Sequence, residues 1–421
     1  MPEERLPSAP GFWRSPLRGP WFTSVLGVVL LGGITVLFVT GLLSYAAYNP
    51  DLSPVNDKTP DKGLLGFYLF AWPTDPHWLY RLTQGVHVTL GITLIPVLLA
   101  KLWSVVPKLF ALPPARSLAH ALERISLLLL VGGVLFEFVT GVLNIQLDYV
   151  FPGSFYPLHF YGAWVFFAAF VVHVVLRAPA AVRNLRRMRE GQGPQEEAGG
   201  EPEFPLVSPR PAEPTVSRRG GLWLVGGGSL LLFGTTVGRN FDGPLRRTAL
   251  LAPHGGADPG RGPNGFQINK TAVSRGISEV ETSEEAWRLV VTGRSGTVRL
   301  SRAELLHLPL HSSALPIACV EGWSTSDQWW RGVRLRDLAA LVGYDADAAP
   351  DVLVESLQRR GAFRSAALRA NQVRDPRSLL ALDVNGEPLT PDHGYPARII
   401  VPAAPGVLNT KWVGRMTFGD L

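Results

Sequence analysis

Ala318-Cys319-Val320-Glu321-Gly322-Trp323-Ser324 holds the only cysteine of a 421-residue chain. An apolar, β-type run, 314–318, delivers that thiol to a turn at Gly322. Farther along come Asp392-His393-Gly394-Tyr395-Pro396-Ala397-Arg398 and Thr410-Lys411-Trp412-Val413-Gly414-Arg415. A lone thiol has no partner for an internal disulfide and cannot build a thiolate cage. One thiolate can still supply the single protein bond of a metal whose other ligands come from an organic group. The competing reading is a buried, inert cysteine.

Working outward, the chain is too long for one ordinary domain. Its 46% hydrophobic residues are spread unevenly: 21–176 contain long uncharged runs, whereas 254–421 have the charge density of a water-facing domain. The net charge of +6 is no nucleic-acid footprint, because most of the excess Lys and Arg flanks apolar runs.

A hydrocarbon core needs about 20 apolar residues as a helix. The runs 21–47, 82–100, 125–145 and 156–176 qualify, and 222–237 is a shorter, Gly-rich fifth. Arg14 and Arg18 precede the first. Asp51, Asp57, Asp61 and Asp75 outnumber Lys58 and Lys62 after it. Lys101, Lys108, Arg116 and Arg124 lie between the second and third, only Asp148 between the third and fourth, and Arg177, Arg183, Arg186, Arg187 and Arg189 follow the fourth. Each alternation puts the N-terminus in the cytoplasm and, with five spans, the C-terminal domain outside. The expected divisions are a cytoplasmic N-terminus (1–20), a four-helix membrane domain (21–183), a Gly/Pro/Glu-rich cytoplasmic linker (184–219), a fifth span or anchor (220–239) and an extracytoplasmic domain (240–421). The linker ends in Ser217-Arg218-Arg219, which looks like a twin-arginine export signal or a cytoplasmic anchor for the fifth span. No short-period repeat is visible, although the four leading spans form two helical hairpins.

Ionisable residues inside spans are candidate functional groups. His87 lies in the second span, and His159 and His173 lie in the fourth. Fourteen residues along a helix advance about 21 Å and return to within about 40° of the same face. His159 and His173 are thus placed to ligate haem iron at opposite depths. Depth pairs His87 with His159. His173 lacks an evident partner, His120 being a weak candidate, and a hydrogen bond to a neighbouring helix is the plain alternative for each ring. Glu137, in mid-span, should face the bundle interior, as a proton or quinone site or as a structural hydrogen-bond partner. The four-span region resembles membrane b-type cytochrome subunits of respiratory dehydrogenases, which implies one or two haem b groups and a quinone or another electron carrier. The first span has no histidine, unlike some of those subunits.

Residues 254–421 alternate short β-type runs with turns, at 287–292, 297–300, 353–356, 397–402 and 411–418. A helix over 301–308 is expected from Ser301 and Glu304 in a capping-box spacing, and another over 334–341, opened by a turn at Gly332-Val333. The expected architecture is an all-α membrane bundle followed by an α+β, β-rich domain. Across about 262–418, Asn269-Lys270-Thr271-Ala272, the Cys319 loop, Trp330-Arg331-Gly332-Val333-Arg334-Leu335-Arg336-Asp337-Leu338 and the two later segments resemble, in order, the sulfite oxidase family of molybdenum–molybdopterin enzymes, specifically its bacterial branch.

That resemblance implies molybdenum bound by Cys319, a catalytic residue by virtue of that bond, and molybdopterin held by Asn269, His393, Arg398, Thr410 and Lys411. Arg and Lys suit a phosphate, one as a fork and one as a point charge. Two departures stand out. Val320-Glu321-Gly322-Trp323 puts an acid where sulfite oxidases proper have arginines, and the resemblance ends without their additional dimerisation domain. The expected function is a membrane-bound oxidoreductase that exchanges an oxygen atom with a small sulfur or nitrogen compound and is linked through haem to a carrier. The alternatives are a haem-bearing module serving a separate partner, its outer domain non-catalytic, and a membrane receptor without redox chemistry.

Overall fold

The computed structural model describes residues 6–52, 54–56, 70–112, 118–145, 155–189, 206–251 and 262–421. Asp57, Lys58, Asp61, Lys62, Arg116, Asp148 and the linker stretch 190–205 lie outside them, as do the side chains of His120, Arg187 and Arg189.

The helical region contains α1 (Pro20–Ala47), α2 (Leu79–Thr93), α3 (Ile95–Leu109), α4 (Leu118–Asn144), α5 (Tyr156–Arg189) and α6 (Arg218–Gly234). Four described helical stretches are long and apolar enough to cross a membrane: Pro20–Ala47, Arg124–Asn144, Tyr156–Pro179 and Arg218–Asn240. The second expected span is a pair rather than one rod, because α2 and α3 meet at 43°. Pro96, at the start of α3, lacks the N–H that would continue the ladder. Counted as one crossing, the pair raises the number of spans to five.

By contacts the chain divides into two units: 1–38, 90–144 and 155–234 in one, and 39–89, 145–154 and 235–421 in the other. The first is held by Phe22, Leu26, Leu30 and Ile34 of α1 packed with Leu94, Val97, Leu98, Val134, Phe166 and Phe170.

The second unit carries α7 (Glu279–Thr282), β1 (Leu289–Gly293), β2 (Gly296–Leu300), α8 (Arg302–His307), β3 (His311–Leu315), β4 (Gln328–Arg334), α9 (Leu335–Leu341), β5 (Val352–Ser356), β6 (Ser365–Leu368), α10 (Ala370–Arg374), β7 (Leu379–Val384), β8 (Glu387–Pro388), β9 (Arg398–Ile400) and β10 (Val413–Phe418). One sheet runs β2-β1-β10-β5-β6 and the other β3-β4-β7-β8, with β9 also on β7. Among the described strands, β1 and β10 pair in parallel and the other ladders are antiparallel. The fold is the expected helical region followed by a mixed α/β domain. Ser301 caps α8 with the expected box, accepting from Glu304 N while Glu304 accepts from Ser301 N. Gly332-Val333 is no turn. It lies inside β4, where a Cβ on Gly332 would run into Leu380 O and the β4–β7 register shifts.

Residues 39–89 are part of this second unit, which the sequence reading assigned to the membrane side. Asn49, fully buried, donates to Ala367 O (3.2 Å) and Gln372 Oε1 (2.8 Å). Asn56 Oδ1 accepts from Ala367 N, Asp51 pairs with Arg369, and Trp72 Nε1 donates to Ala403 O at 2.7 Å. This segment straps the β6 edge and α10.

Candidate active site

Cys319 is set by a short loop between β3 and β4. Thr325 N donates to Ile317 O and Cys319 N to Trp323 O, closing the stem, while Gly406 N donates to Ala318 O from the facing segment. Gly322 takes φ +83°, and a Cβ there would lie 2.6 Å from Val88 Cβ, so the loop needs glycine both for its turn and for the approach of α2. Gln84, one turn before Val88, donates to Val320 O at 2.5 Å and accepts from Ser44 Oγ at 2.7 Å.

Cys319 is 3% exposed and lines a cavity that opens to solvent. The same cavity is lined by Asn269, His393, Arg398, Thr410 and Lys411, the residues expected to bind the pterin. Lys270, Gln267, Gln358 and Phe363 join them. Asn269 Nδ2 is 4.0 Å from Cys319 Sγ. Arg398, at the start of β9, donates to His393 O and Asn409 O, and Lys411, just before β10, donates to Lys270 O and Asp392 O. His393 Nε2 lies 3.2 Å from Phe266 O; a carbonyl only accepts, so Nε2 carries the proton and Nδ1 accepts from Thr390 Oγ1 at 2.8 Å.

The electrostatics are those of a cationic cradle. Burial, then Arg398 and Lys270, hold the Lys411 ammonium well below its ordinary pKa. Burial lowers Arg398 to about 9, and burial with Arg398 lowers His393 to about 3. Burial, then Glu321, pushes the Cys319 thiol up. Arg398 Nε, Asn409 Nδ2 and Thr410 Oγ1 are buried with no hydrogen-bond partner among the described residues. Unsatisfied donors and crowded cations in one wall fit an anionic, acceptor-rich group, which would supply the missing bonds and offset the charge. Molybdopterin, with its phosphate, is such a group, and a metal beside Cys319 would deprotonate the thiol on binding.

Glu321 accepts from Cys319 Sγ (3.5 Å) and from Trp323 Nε1 (3.0 Å). Cations from distant sequence also gather at this loop. Arg81 Nε donates to Ser324 Oγ, Arg246 donates to Ser324 O and Gln267 Oε1, and Arg239 is 1% exposed with no hydrogen-bond partner for its guanidinium among the described residues. Glu321 is the opposite charge that Arg239 feels. The sequence marks the acid and offers Arg81 and Arg239 only as flanks of apolar spans, since nothing in the spacing of these arginines ties them to residue 321.

The histidines sit elsewhere. His87 Nδ1 lies 3.0 Å from Thr40 Oγ1. His159 Nδ1 lies 3.0 Å from Thr140 Oγ1 and 3.1 Å from Glu137 Oε2. His173 lies on α5, one turn before Arg177. His77, outside the helices, contacts Asp327 Oδ2 at 3.2 Å. Among the described residues no cluster of three His, Cys, Asp or Glu could hold a metal ion unaided.

Comparison with known proteins bears on the C-terminal domain. The model of the oxidoreductase molybdopterin binding domain matches residues 276–420. Mitochondrial sulfite oxidase of Mus musculus is 32% identical over 156 residues, 31% of this chain and 29% of that protein. The uncharacterized oxidoreductase YuiH of Bacillus subtilis is 33% identical over 133 residues, 31% of this chain and 65% of that protein. An NAD(P)H nitrate reductase of Hordeum vulgare is 42% identical over 94 residues, 21% of this chain and 10% of that protein. The chain thus spans less than a third of the mouse protein's length. Its C-terminal part is a molybdopterin oxidoreductase domain homologous to sulfite oxidase.

Proposed function

We propose that the chain is a membrane-anchored molybdenum oxidoreductase. Its extracytoplasmic domain exchanges an oxygen atom with a small sulfur or nitrogen compound, and haem b in the helical region links it to a quinone or another carrier. One observation carries the reading: Cys319 shares a single cavity with Asn269, His393, Arg398, Thr410 and Lys411. Cys319 would hold molybdenum, and Arg398 and Lys411 would hold the cofactor's anionic groups. The bound molybdenum supplies two-electron oxygen-atom exchange. The protein's share is to orient the cofactor from rigid strand ends and to keep Cys319 out of bulk water. Arg239, which feels Glu321 as its opposite charge, would offset that acid toward an oxyanion substrate of the kind named for the sulfite oxidase and nitrate reductase relatives.

The strap supports the topology. Asn49 and Asn56 follow α1 and touch β6 and α10, as they would if the end of α1 and the C-terminal domain shared one side of a bilayer. Four crossings between them satisfy this, with α2 and α3 counted as one. The basic flanks favour the outside for that shared side. His87 and His159, paired by depth, would ligate haem iron, with His173 and His120 left for a second group; Glu137 is a candidate proton or quinone site.

The test is joint molybdenum, pterin and haem analysis of the purified full chain beside Cys319→Ser. Stoichiometric molybdenum and a b-type spectrum are expected in the wild type. The variant should keep the spectrum and lose molybdenum and oxygen-atom transfer to background. Full activity in the variant would overturn the ligand, and a wild type without molybdenum would overturn the function.

A further inference from the structure

The two membrane hairpins contain the same histidine station. In α1 the sequence Leu31-Gly32-Gly33 is followed by Phe38-Val39-Thr40-Gly41. In α4, Val131-Gly132-Gly133 is followed at the same spacing by Phe138-Val139-Thr140-Gly141. The likeness extends to contacts. A Cβ on Gly41 would lie 3.2 Å from His87 Cε1, and one on Gly141 would lie 3.2 Å from His159 Cε1. Both threonines meet the ring at Nδ1, each at 3.0 Å. Seven residues beyond each histidine the match recurs: Gly33 abuts Leu94, and Gly133 abuts Phe166. Coincident contacts of this kind in two separate hairpins are more than composition produces.

Given the haem ligation proposed above, we propose that Thr40 and Thr140 are equivalent positioning residues of an internal duplication, each fixing a histidine ring by Nδ1 so that iron ligation falls to Nε2. At the second station the hydrogen-bond directions follow from the neighbours. Thr140 Oγ1 donates its single proton to Phe136 O at 2.7 Å, so towards His159 it accepts. His159 Nδ1 therefore carries a hydrogen, shared between Thr140 Oγ1 and Glu137 Oε2. A hydrogen bond from the outer ring nitrogen fixes the tautomer and strengthens the ligating one as a donor to metal.

The stations differ in one respect. Where the first half has Leu37 and Leu90, the second has Glu137 and Gly162. A Cβ on Gly162 would collide with Glu137 Oε1, so the glycine admits the carboxyl. Glu137 is thereby a second acceptor on His159, which makes that ring the stronger electron donor of the two.

The experiment is an optical redox titration and electron paramagnetic resonance of the purified full chain, with Thr40→Ala, Thr140→Ala, the two Thr→Ser variants and Glu137→Leu. Each Ala variant should shift the haem midpoint potential upward and move the ferric g-values, and Ser should restore both. Glu137→Leu should also shift the potential upward. If an Ala variant loses haem while its Ser counterpart retains it, the hydroxyl is still the positioning group. Unchanged potentials and g-values in both Ala variants, or equal loss of haem in Ala and Ser, overturn the positioning role while leaving haem ligation intact. A wild type without haem overturns both.

Discussion

His393 illustrates how a single residue records what its cavity is built to hold. It is 3% exposed, its Nε2–H is committed to Phe266 O, and burial with the nearby Arg398 holds its pKa at about 3, against an ordinary 6.5. Between those values the unfolded chain binds a proton that the folded chain refuses. Stability contributed by the neutral ring is therefore complete above about pH 6.5 and falls on acidification, by at most about 1.4 kcal/mol per pH unit. Thermal unfolding of the cofactor-free protein should show this loss between pH 6.5 and 3, and His393→Phe should flatten the slope there. A wild-type and variant with parallel pH profiles would mean that His393 takes up its proton in the folded state. Cofactor binding would work in the opposite direction at Lys411: an anion beside a crowded ammonium favours its charged form.

Among elements, the Cys319 loop and α2 depend on each other. Gly322 has φ +83° and its Cα faces Val88, so Gly322→Ala brings both a left-handed strain and an overlap. The expected cost is about 1–3 kcal/mol, seen as a lower melting temperature with reduced molybdenum retention. A variant as stable as the wild type would show that α2 can retreat from the loop without consequence. The chain announced much of this domain. Ser301 and Glu304 fixed α8, and the five expected pterin residues met at one cavity, because local capping and strand-end placement are written in short stretches. What stayed hidden was set by distant pairing. Gln84 on Val320, Arg81 on Ser324 and Gln358 in the cavity wall carry no local mark. Gly332 was mistaken for a turn residue because a close strand approach and a turn both call for glycine. The duplicated Phe-Val-Thr-Gly was in plain sight, but the halves differ in the length between the motif and its histidine, which hides a fixed period.

At the scale of the molecule, the redox domain is not confined to the residues that resemble its relatives. The match covers 276–420, yet Asn49, Leu52, Trp72 and Tyr80 are at most 2% exposed within the same unit. Without 39–89, Ala367 O and Ala403 O lose their side-chain donors, and Ala367 N loses the Asn56 acceptor. Each buried group left unpaired costs about 1–3 kcal/mol, and each large apolar side chain withdrawn forfeits about 1.5–3 kcal/mol of burial. Several such losses rival the roughly 5–15 kcal/mol by which a domain is ordinarily stable. A fragment comprising residues 235–421 should therefore be poorly soluble or melt far below the full chain, with fast amide exchange over 365–372. Supplying residues 39–89 by covalent linkage should restore protection there. A fragment that melts with the full chain and protects those amides equally would make the strap a tether between membrane and catalyst and nothing more.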